Sequence, residues 1–67
     1  MKVKVFFEGV QVGIAQKIVG NWYAKPFVFG KEKEQVFSGE YIRRSKEDAM
    51  EMVVAFWLDD RDDQAAK

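Results

Sequence analysis

The sequence predicts an α+β domain, an antiparallel sheet of three to four strands followed by one C-terminal helix packed across it. Three observations predict it. Apolar residues recur at a spacing of two through the first half of the chain, between glycine-bearing turns. One capped stretch with helical spacing occurs, and it comes last. The length, 67 residues, is that of a single domain. A chain this short buries only about 60% of its unfolded surface, but ten aromatic residues supply large units of burial.

Val3, Val5 and Phe7 share one side of the opening segment and Lys2, Lys4 and Phe6 the other, the alternation of a half-buried strand. Glu8-Gly9 makes a turn or bulge. Val10, Val12 and Ile14 then resume the alternation in a second strand over residues 10–19, where Gly13 and Gly20 mark a bend or bulge. Residues 21–29 have high strand propensity. Pro26 has no N–H for a ladder, so this segment is an edge strand, or a loop that becomes strand only after the proline. Gly30 to Glu34 is a polar hairpin loop, and Gln35 to Arg43 is the next strand, with a bulge at Ser38-Gly39 restoring its alternation.

Ser45 is a good helix N-cap, and Asp48, at the third helical position, can complete a capping box. Glu47 and Asp48 suit the positive end of the helix dipole. Ala49 to Leu58 are helix formers or large apolar groups. Asp59 and Asp60 are unfavourable at a helix C-terminus, so the last regular turn is expected near them and residues 61–67 are expected to fray.

With no histidine and no cysteine, the chain lacks the commonest general base, the commonest metal ligand and any thiolate nucleophile. Ser38 and Ser45 have structural explanations at a bulge and a cap. Glu8 and Glu40 can meet only across strands, and no phosphate-cradling glycine motif or nucleophile elbow occurs. The expectation is a protein that is not an enzyme and uses no cofactor. Charge at Lys4 and Glu8 interrupts the N-terminus, which offers no signal-peptide core, and no stretch approaches a membrane span. The expected location is therefore cytoplasmic.

Net charge is zero but unevenly placed. Residues 1–46 carry nine Lys/Arg against four Glu, and residues 47–67 carry two against seven acidic groups. This makes a basic sheet and an acidic C-terminal segment. A chain that grips many phosphates usually has a net positive charge.

Three features are candidates for a binding surface. On a helical wheel the apolar residues from Ala49 to Trp57 span roughly 200°, with Leu58 beyond them, whereas a helix on one sheet needs little more than 100°. Either the sheet curls around the helix, or Met and Ala occupy a tolerant boundary, or one flank bearing Trp57 and Leu58 meets another protein or a second copy of the chain. Trp22 and Tyr23, with Phe27 and Phe29, are either core or a protein contact. Interleaved with Lys17, Lys25, Lys31 and Lys33, they also suit stacking of unpaired bases, although Glu32 and Glu34 weaken that track. Asp59-Asp60-Arg61-Asp62-Asp63 is either a solvated tail or a steering patch for a basic partner, and it lacks the spacing of a calcium loop.

The opening Val3-Lys4-Val5-Phe6-Phe7-Glu8-Gly9 and the helix end Ala55-Phe56-Trp57-Leu58-Asp59-Asp60 resemble the Dmd family, small antitoxins of T-even-type phages with a similar opening and helix end. The likeness covers about a quarter of the chain, and the helix end departs by one residue in spacing. It implies a protein that acts in the host cytoplasm, inactivating a bacterial endoribonuclease toxin by direct binding. Residues and resemblance together lead to one expectation: a small non-catalytic inhibitor that binds another protein through Trp57, Leu58, Asp59 and Asp60, with Trp22 and Tyr23 as a second contact. A nucleic-acid-binding accessory protein and a homodimeric interaction domain are the alternatives.

Overall fold

The computed structural model describes residues 1–66 and has the expected α+β architecture. Strands β1 (Lys2–Phe7), β2 (Val10–Ile18), β3 (Asn21–Pro26) and β4 (Tyr41–Arg43) form one antiparallel sheet in sequential order, and helix α1 (Lys46–Ala65) lies across it.

The first two connections are two-residue turns with both central residues at positive φ, Glu8-Gly9 (51° and 82°) and Val19-Gly20 (48° and 82°). That geometry matches the natural twist of paired strands, and glycine at the second position suits it. Val19 does not: it is β-branched, left-handed and 95% exposed.

A bulge interrupts the pairing of β1 with β2, where Val5 faces Gly13, Phe6 faces Gln11, and Val12 is the extra residue. The bulge turns Val12 into the core and leaves its carbonyl to accept from the Phe27 N–H at 2.8 Å. Gly13 is required there because a Cβ would lie 2.6 Å from Val53 Cγ1 and 2.5 Å from the Lys25 carbonyl oxygen. The helix therefore sits close to the sheet at this point.

Register places Val3, Ala15, Ala24 and Tyr41 in one row across the sheet, and Val5, Gly13 and Pro26 in the next. These rows meet Ala49, Val53 and Trp57 of the helix, forming a core with small residues at its centre and aromatics towards one end.

Three expectations about the elements are corrected. Pro26 ends β3 rather than beginning it, and β3 is an interior strand: at its last position the missing N–H costs nothing, while the proline carbonyl accepts from Ser38 N at 2.8 Å. The strand expected over residues 35–43 shrinks to Tyr41–Arg43 plus one bridge, Phe27 with Phe37. Gln35 has a positive φ of 54°, and the Tyr41 ring folds back over Gly39, which keeps the chain out of regular pairing.

The helix, finally, runs past the aspartates to Ala65. Gln64 Nε2 donates to the Phe29 carbonyl at 3.2 Å, and Asp60 Oδ2 accepts from the Phe29 N–H at 2.7 Å, so the last turns are tied to the loop before β4. The last regular turn therefore lies at Ala65 and not at the expected place near Asp59 and Asp60; of the tail expected to fray over residues 61–67, Lys67 lies outside the described residues.

Candidate functional site: the flank of the helix along strand β1

The helix starts where the sequence says. Ser45 is extended (φ −149°, ψ 169°), and its Oγ accepts from the Asp48 N–H at 3.2 Å. The reciprocal half of the box is replaced: the Asp48 carboxylate turns to Arg43 on β4, with Nη2 at 3.1 Å from Oδ2. The hydrogen bond from Arg43 holds the Asp48 carboxyl below its ordinary value, with the Arg43 and Arg44 charges assisting against desolvation.

From this start the wide apolar arc divides into three. Ala49, Val53 and Trp57 are buried. Phe56 is covered on one flank by Tyr41 of β4, ring on ring at 4.7 Å and 6°. On the other flank Met50, Val54 and Leu58 run beside β1, and with Val5 and Phe6 they line an open groove of about 450 Å³. Glu51 stands on its helix rim. Phe6, opposite, is 58% exposed. Among the described residues no hydrogen bond or ion pair joins β1 to the helix, so this wall is held by apolar contact alone.

The residues singled out from sequence are dispersed. Trp57 is 6% exposed, edge-on to Phe29 at 5.0 Å and 6.3 Å from Phe7, with Arg61 over its ring at 6.0 Å. It is core, and this corrects its place on a binding surface. Its indole Nε1 is buried without a hydrogen-bond partner among the described residues. Leu58, one position on, faces the groove. Asp60 is engaged in holding Phe29, while Asp59 and Asp63 border a second depression of about 440 Å³ beside Ser38 and Tyr41.

Trp22 and Tyr23 fall on opposite faces of the sheet, as consecutive strand residues must. Trp22 packs against the core, and Tyr23 lies on the open face between Gln16 and Ile42. They do not form one patch. Phe27 is buried beneath Phe37 and Phe29 against Trp57, so these rings serve the core. Glu8 and Glu40 are separated by the width of the sheet, and Glu40 lies 3.6 Å from Lys25.

Sequence reasoning missed Met50 and Val54 as half-buried residues lining a groove, and Phe6 as their neighbour. At about 100° per residue the first two lie on the same side of the apolar stripe. The open face of the sheet carries Lys2, Lys4, Gln16 and Lys25 around Ile14 and Phe37, lining a depression of about 330 Å³. Among the described residues no cluster of side chains suits a metal ion, and no helix is long and apolar enough to cross a membrane. Comparison with protein-family models, with curated proteins and with solved structures gives no match.

Proposed function

We propose that this protein is a non-catalytic inhibitor that binds another protein along the flank of its helix. One observation carries the reading: an apolar groove of about 450 Å³ between β1 and the Met50, Val54 and Leu58 row, beside an exposed Phe6. In so small a domain, apolar surface left at the edge of the core weakens folding, and contiguous exposed apolar surface is characteristic of contact sites. The resemblance to Dmd-type antitoxins supplies the finer reading, that the bound protein is an endoribonuclease toxin of a bacterial host.

The test is co-expression. A cell poisoned by such a toxin is expected to recover growth with the wild-type chain, and to lose that rescue with Val54→Glu/Leu58→Asp while circular dichroism shows the fold intact. Equal rescue by both chains removes the groove from the reading, and absence of rescue by the wild type removes the toxin from it.

A second reading, nucleic-acid binding, is favoured by Lys2, Lys4 and Lys25 on the open face with Phe37 and Tyr23 nearby. Lys25 lies 3.6 Å from Glu40, which offsets one of those three charges. Binding to an oligonucleotide that falls steeply between low and moderate salt would favour it, and no binding at low salt would remove it.

A further inference from the structure

Strand β1 ends the sheet. The Lys17 N–H donates to the Met1 carbonyl at 2.9 Å, and the pairing then runs Val3 with Ala15 and Val5 with Gly13. In an antiparallel ladder the bonded residues alternate. Met1, Val3 and Val5 therefore bond inward to β2, and the backbone groups of Lys2, Lys4 and Phe6 point away from the sheet. An outer strand of this kind is a template for another strand.

The two sides of that edge differ in chemistry. On the open face stand the side chains of Lys2 and Lys4, both exposed, and among the described residues neither has a carboxylate within 4.0 Å. On the helix face lies the apolar groove with Met50, Val54 and Leu58, rimmed by Glu51. A strand added to β1 would place alternate side chains on these two faces. Carboxylates fit beside the lysines and are repelled on the Glu51 side, whereas aliphatic side chains fit the groove. A second copy of this chain fits less well, because antiparallel pairing at full overlap sets Lys4 beside its own counterpart, and like charges directly opposite are destabilising.

We infer that β1 and the adjoining helix flank receive an extended segment of the partner protein in which acidic and aliphatic residues alternate, added as a fifth strand. This rests on the reading of the protein as a binder of another protein and specifies what is bound. Main-chain hydrogen bonds to Lys2, Lys4 and Phe6 supply register-independent affinity, and the alternating side chains supply selectivity.

The probe is a fluorescein-labelled six-residue peptide alternating glutamate and leucine, titrated with the full chain and read by fluorescence anisotropy. Saturable binding is expected, with at least a tenfold loss for Lys2→Glu/Lys4→Glu and for Leu58→Asp, and no binding of a lysine–leucine peptide. Methylating alternate peptide nitrogens is expected to abolish binding in one register and spare it in the other. Peptide binding that ignores both the lysine reversal and N-methylation in either register overturns the inference, as does no binding at all. A concentration-dependent dimer in light scattering, broken by Lys4→Pro, assigns the edge to a second copy and also overturns it. Toxin rescue lost with the Leu58 variant but unchanged by Lys2→Glu/Lys4→Glu sinks the strand-addition mode and leaves the inhibitor reading standing. Peptide binding as expected, with no toxin rescue, does the reverse.

Discussion

The two flanks of the helix are made of similar residues but covered differently. On the β4 side, Phe56 is stacked on Tyr41 and Asp48 is paired with Arg43, so a strand of only three residues closes that flank with one ring contact and one ion pair. On the β1 side, a strand of six residues leaves Met50, Val54 and Leu58 along an open groove. Strand length does not decide which flank is sealed. The placement of the large side chain does: Tyr41 stacks on Phe56, whereas on β1 Phe7 turns to Trp57 and Phe6, beside the groove, is 58% exposed.

The largest effect is expected where both flanks converge. Trp57→Ala removes a ring that touches Phe7 and Phe29, at a cost of about 3–5 kcal/mol. That is comparable with the whole stability of a small domain. Loss of the cooperative urea transition is the expected result. Trp57→Phe keeps an aromatic ring and removes the indole N–H that lacks a partner, so it is expected to retain a transition at a lower midpoint.

The comparison itself is broken or kept by two truncations. Phe56→Ala on the closed flank is expected to cost about 2 kcal/mol or more, because it also strands Tyr41. Leu58→Ala on the open flank is expected to cost about 1 kcal/mol, in line with partial burial. Urea midpoints measure both. Equal costs would mean that the β1 flank is sealed in solution, and the groove would lose its standing as a binding surface.

Much of this was legible in the sequence, for reasons that differ from element to element. Alternation in residues 2–7 and 10–18 is local and strong, and the Ser45 cap is a local signal too, so these elements came out as read. The helix end was not legible, because its continuation to Ala65 depends on Asp60 and Gln64 bonding to Phe29, some thirty residues away. The segment over residues 35–43 read as strand by composition, but tertiary packing of Tyr41 over Gly39 overrode it. The candidate site was half legible. The wheel showed a wide apolar arc, one side of which lines the groove, but it could not tell that Trp57 points inward while Leu58 faces the groove, since the two lie only about 100° apart.

Val19 separates stability from binding. It holds φ 48° at the first position of the β2–β3 turn, 95% exposed, where a left-handed conformation costs a β-branched residue about 1–2 kcal/mol. Asparagine before glycine is the favoured pair for this turn. Val19→Asn is therefore expected to raise stability by about 1 kcal/mol in urea, with peptide affinity at the β1 edge unchanged. A change in that affinity would tie the turn to the binding surface and weaken the assignment to the helix flank.

The smallest effect concerns the ion pair that pins the closed flank. The hydrogen bond from Arg43 lowers the Asp48 pKa beneath its ordinary 3.8, so the folded state binds the proton less readily than the unfolded chain does. The contribution is then fully present above about pH 3.8 and is lost as pH falls through the lowered value. Asp48→Asn is expected to lower the urea midpoint at neutral pH, and the gap from wild type is expected to close as pH drops below 3.8. Asp63→Asn, at the opposite end of the same helix, is expected to act with the other sign, because an anion near a helix C-terminus opposes the dipole. If the Asp48 gap persists in acid, the pairing with Arg43 does not hold β4 to the helix, and the Tyr41–Phe56 stack alone distinguishes the closed flank from the open one.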